Sequence, residues 1–93
     1  MKEVAESIMR VLDSVRDNEI STSRAREKVE EVAQKARASL KEGSDDYVAL
    51  DIFTESANAY LRLVEGHAHE PIFRLDAALA SVRRKAERVG ELW

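Results

Sequence analysis

Ninety-three residues, 44% of them apolar and 35% charged, fit one water-soluble folded domain over 1–93, too hydrophobic for a disordered chain and too charged for a membrane protein. There is no cysteine, which excludes disulfides, zinc thiolates, a thiol nucleophile and thiol redox chemistry together. A formal charge of −3 repels phosphate backbones, so nucleic acid is not an expected partner unless a local basic patch grips it.

The start, Met1-Lys2-Glu3-Val4-Ala5-Glu6, has acids where a secretion signal needs an apolar run, and the longest apolar runs are four residues, as in Tyr47-Val48-Ala49-Leu50. Neither a signal peptide nor a membrane span is expected, and cytoplasm is the expected compartment. Charge is uneven: residues 41–70 carry seven acids against Lys41 and Arg62, while 71–93 carry five bases against three acids. Such polarity can orient a partner or a second copy of the chain.

The first element is a helix over roughly 2–17, with Val4, Ile8, Val11 and Val15 at helical spacing and Ala5 and Leu12 widening the stripe. Asp17-Asn18-Glu19-Ile20 ends it, and Ser21, Thr22 or Ser23 can cap the next. The second helix, roughly 22–42, buries Ala25, Val29, Val32, Ala33, Ala36 and Leu40 and is charged elsewhere, with Glu31 and Lys35 favourably placed one turn apart. Gly43 suits a left-handed position after it, and Ser44 with Asp45 and Asp46 suits the start of a third helix, roughly 45–65.

That third helix is apolar over roughly 220° when stepped at about 100° per residue, leaving Asp51, Thr54, Glu55, Asn58, Arg62 and Glu65 on a polar arc. It reads as the central helix. After Gly66-His67-Ala68-His69-Glu70, Pro71 suits the first turn of a fourth helix, roughly 71–91. There Ile72, Leu75, Leu79, Val82, Ala86 and Val89 alternate at three and four, with Trp93 on the same stripe, a seam for lengthwise packing. Short connections favour antiparallel neighbours, so the expected fold is an all-α, four-helix antiparallel bundle.

His67, His69 and Glu70 are the candidate metal ligands, since H-x-H in an extended turn can put two imidazoles on one ion. A structural zinc normally takes four protein ligands, and no second ligand group is readable, so an ordinary solvated turn is the expectation and no cofactor is called for. The order His67-x-x-Glu70 is the reverse of a di-iron Glu-x-x-His and occurs once. Arg83, Arg84, Lys85 and Arg88 cluster on the fourth helix, but without interleaved aromatics and diluted by Glu87 and Glu91 they read as a solvated face. No catalytic constellation stands out, and an enzyme is not expected.

Asp51 and Glu55, one turn apart, can present two carboxylates to a cation or arginine, with Arg62 on the same arc. Tyr47, Phe53, Tyr60 and Trp93 fall on apolar faces as core or interface, whereas Phe73 lies about 100° from Ile72 and is a candidate contact aromatic. The expected partner-binding residues are Asp51, Glu55, Arg62, Phe73 and Trp93.

Asn18-Glu19-Ile20-Ser21, then Leu50-Asp51-x-Phe53 and Ala57-x-Ala59-Tyr60, resembles the small helical immunity proteins of the colicin D type over roughly the first two-thirds of the chain. The resemblance implies a compact inhibitor that blocks a nuclease toxin with acidic side chains, here Asp51 and Glu55. The chain departs from that pattern where the third helix continues through Leu61-Arg62-Leu63-Val64 and where the last helix is basic. The functional expectation is a protein-interaction module, self-associating or an acidic immunity-type inhibitor. The alternative is a metal-binding or small catalytic bundle using the His67–Glu70 turn.

Overall fold

The computed structural model describes residues 2–66 and 72–91, with side chains for 2–66 and 74–89. They form four helices, α1 Lys2–Arg16, α2 Thr22–Ala38, α3 Asp45–Glu65 and α4 Ile72–Glu91, with no strand among the described residues. Each helix packs on its chain neighbours and α4 closes the ring on α1; α1 and α3 touch across the diagonal, while among the described residues α2 and α4 do not meet. The central position expected of α3 is therefore shared with α1.

The helix ends follow from side-chain chemistry. Asn18 ends α1 in the left-handed region at φ 60°. The Glu19 N–H donates to the Ser14 carbonyl at 2.8 Å and the Asn18 N–H to Val15 at 3.0 Å, the paired bonds of a Schellman ending. Ser21 is the N-cap of α2, its hydroxyl accepting from the Arg24 N–H at 3.2 Å. Ser44 caps α3 in the same way, accepting from the Tyr47 N–H at 3.2 Å.

The second helix is shorter than its sequence pattern implies. It stops at Ala38 rather than near 42, because Ser39 caps it: the Ser39 hydroxyl donates to the Ala36 carbonyl at 3.0 Å, and its N–H turns onto Ala36 and Arg37. This tight last turn swings half-buried Leu40 against the core. Gly43 takes the expected positive φ, 81°, but within the turn that leads into Ser44.

The core is continuous through the ring. Ile8 and Leu12 of α1, Val29 of α2, Leu50, Phe53 and Leu61 of α3, and Leu79, Val82 and Val89 of α4 are all buried. The α4 seam thus packs inward at Leu79, Val82, Ala86 and Val89, with Leu75 half-buried. Polar ties join neighbours on the rim. Arg37 reaches Asp51 and Arg26 reaches Glu65 between α2 and α3, at opposite ends of both helices, which fixes that pair as antiparallel. Arg83 holds Asp13 of α1 at 2.9 Å, and the Lys85 ammonium donates to the Ser56 hydroxyl at 2.7 Å between α4 and α3. On α2 itself the ion pair that forms is Glu30 with Arg37, rather than Glu31 with Lys35.

Candidate interaction face on α3

The phase of α3 is set from both flanks. Toward α2, the Arg37 guanidinium places two nitrogens 2.9 Å from one Asp51 oxygen. Toward α4, Ser56 accepts from Lys85. Between these ties the inward side holds Phe53, Ala57, Tyr60 and Leu61. It also holds Thr54, which the sequence pattern assigns to the polar arc. Thr54 tolerates burial because its hydroxyl donates to the Leu50 carbonyl at 2.8 Å, so no polar atom is stranded.

The outward side carries part of the broad apolar arc. Val48 is 47% exposed and Ile52 52% exposed, one helical turn apart. Glu55 continues the same row one turn on and is exposed, followed by half-buried Ala59 and exposed Arg62. At about 100° per residue these positions lie within roughly 80° of one another. The face therefore has an aliphatic crest, with Asp51 and Glu55 on the side of α2. On its other side lie Lys85, at the α4 seam, and exposed Arg88, one turn further along α4.

Of the expected partner-binding residues, the structure brings Glu55 and Arg62 onto this face and puts Asp51 at its edge, half-buried and committed to Arg37. Arg62 also borders an open groove between α2 and α3, lined by Arg26, Glu30, Gln34 and Asn58. Trp93 and the Phe73 side chain lie outside the described residues, as do the metal candidates His67, His69 and Glu70 and the proposed helix-starting Pro71. Among the described residues no group of three or more His, Asp or Glu side chains is placed to hold a metal ion.

Val48 and Ile52 are the exposed residues of this face that the sequence pattern does not single out. They sit on the same arc as Asp51 and Glu55, and that adjacency is the signal that would have found them. The basic cluster does not act as one patch: Arg83 is engaged by Asp13 and Lys85 by Ser56, leaving Arg84 and Arg88 at the surface. Phe53 and Tyr60 are core residues, as their spacing predicts, and Tyr47 is half-buried. Burial pushes the Tyr60 phenol above its ordinary pKa, against the opposing pull of the nearby Arg16 cation.

No helix among the described residues is long and apolar enough to cross a membrane. No protein-family model, curated protein or solved structure matches the chain.

Proposed function

We propose that this chain is a non-enzymatic protein-interaction module, working in the cytoplasm, whose partner lies against the outward face of α3. The observation that carries the reading is the pair Val48 and Ile52, about half exposed and side by side within a charged frame. Large aliphatic side chains grouped with a polar rim are what a contact surface needs. Two forms of the module fit the sequence: self-association, and capture of a basic partner in the manner of a colicin D-type immunity protein.

Residues 42–55 support the second form, with five acids, Glu42, Asp45, Asp46, Asp51 and Glu55, and no lysine or arginine. Arg37 already neutralises Asp51, so Glu55 is the carboxylate that such a partner would meet first. Phe73 and Trp93 enter the proposal from the sequence pattern. The metal-binding alternative rests on the His67–Glu70 turn.

The test is affinity capture from the native host by the wild-type chain and by a Val48→Ser/Ile52→Ser variant whose circular dichroism matches it. A partner held by the first and lost by the second supports the reading. The same proteins retained by both would remove it.

A further inference from the structure

The α3 face has an acidic edge and a basic edge, and this asymmetry identifies what covers it. Glu55 lies on the side of α2 and is exposed, with no ion-pair partner among the described residues. On the opposite side stand Lys85 and exposed Arg88 of α4. A uniformly basic partner would be attracted along one edge and repelled along the other. A surface with both signs on opposite edges of one aliphatic crest is complementary to itself.

The axial positions agree. Five residues separate Gly66 from Ile72 and can span at most roughly 20 Å, shorter than the roughly 31 Å length of α3, so α4 must run back alongside it. The Lys85–Ser56 bond then sets the register. Each step forward on α4 is a step back on α3, so Lys85 lies at the level of position 56 and Arg88 at that of position 53. Glu55 falls between those two levels.

Two symmetric ways of stacking two such faces differ in sign. A two-fold axis across α3 would set acidic edge on acidic edge. A two-fold axis along α3 sets the acidic edge of each copy on the basic edge of the other, at matched height. Resting on the interaction reading above, we propose that the occupant of this face is a second copy of the chain. The two α3 helices run parallel, Val48 and Ile52 meet across the dyad, and Glu55 of each copy pairs with Arg88, flanked by Lys85, of the other. Arg62 lies ten residues beyond Ile52, roughly 15 Å along the helix, outside a contact centred there.

The test uses the full chain in light scattering and sedimentation equilibrium from roughly 1 to 500 µM, a range that brackets a small interface. The wild type should dimerise within that range. Glu55→Arg and Arg88→Glu, each confirmed folded by circular dichroism, should each weaken the dimer at least about tenfold, because both symmetry-related pairs turn repulsive. An equimolar mixture of the two variants should recover it, because both cross-copy pairs are then of opposite sign. A wild type monomeric throughout, single reversals without effect, or a mixture that fails to recover would each overturn the proposal. The wider reading is judged separately: a monomer whose capture of a host protein is lost with Val48→Ser/Ile52→Ser overturns self-association and leaves the module standing. A monomer with no such capture ends both.

Discussion

Adjacent residues Ile52 and Phe53 should respond to truncation very differently, because α3 turns one out and the other in. Phe53 is 0% exposed and Ile52 52% exposed. Deleting a fully buried phenylalanine side chain costs about 3–5 kcal/mol, counting both lost transfer energy and the cavity left behind. Full burial of an isoleucine stabilises by about 1.5–3 kcal/mol, so the half that remains covered at position 52 is worth about 1 kcal/mol, less a few tenths because alanine favours the helix. Against a total of roughly 5–14 kcal/mol for a domain of this size, Phe53→Ala removes a large fraction and Ile52→Ala a small one. Urea unfolding followed by far-ultraviolet circular dichroism, at a concentration low enough to keep the chain monomeric, measures both. The midpoint should fall by at least about 1 M for Phe53→Ala and by well under that for Ile52→Ala, with unchanged slopes. Equal losses at the two positions would mean that α3 is rotated from the phase described, and the exposed crest would go with it.

Three further outcomes test the local chemistry. Asn18→Gly should be neutral or mildly stabilising and Asn18→Ala should cost about 1 kcal/mol, since the residue sits at φ 60°; the opposite order in a thermal melt would refute the Schellman ending. Ser44→Ala should cost about 1 kcal/mol and Ser44→Gly a few tenths, and amide exchange at Tyr47 should quicken in the alanine variant; unchanged exchange would argue against the cap. For Tyr60 the sign is set by burial, which holds the proton on the folded chain to higher pH than on the unfolded one. The unfolded phenol ionises near about pH 10, so the contribution is complete below that pH and is lost as pH rises through the raised folded value. Tyr60→Phe should therefore flatten the alkaline fall in stability, and an identical slope in both proteins would contradict it.

The helices were readable wherever a pattern and a capping side chain agreed. Ser21 and Ser44 start α2 and α3, and Asn18 ends α1, for local reasons contained in a few residues. The end of α2 was not readable, because the apolar spacing runs on to Leu40 while Ser39 offers a competing bond to Ala36. Leu40 still reaches the core, but from a turn rather than a helix. The acidic character of the α3 face was readable from Asp51 and Glu55. Its aliphatic crest was not, because a broad apolar arc does not say which part of itself will meet neighbours. The engagement of Asp51 was equally hidden: Arg37 lies fourteen residues away on another helix.

A surplus of apolar surface on one helix could be removed by a small roll, so its persistence requires a cause. In a four-helix ring, α3 meets two neighbours along its flanks and α1 across the diagonal, and the polar ties on those flanks act in opposite directions. Rolling α3 to bury Ile52 against α4 would draw Asp51 away from Arg37 and crowd Ser56 into the seam where it now receives Lys85. Rolling it the other way would carry Ser56 away from Lys85 and leave the crest no better covered. Each tie alone is a surface interaction worth about 1 kcal/mol or less. Together they bracket the rotation, and inward packing of Phe53 and Leu61 gives that bracketed phase most of its stability. The exposed crest is therefore a consequence of where the charges stand, and the same Lys85 that holds the phase also forms part of the basic edge beside it.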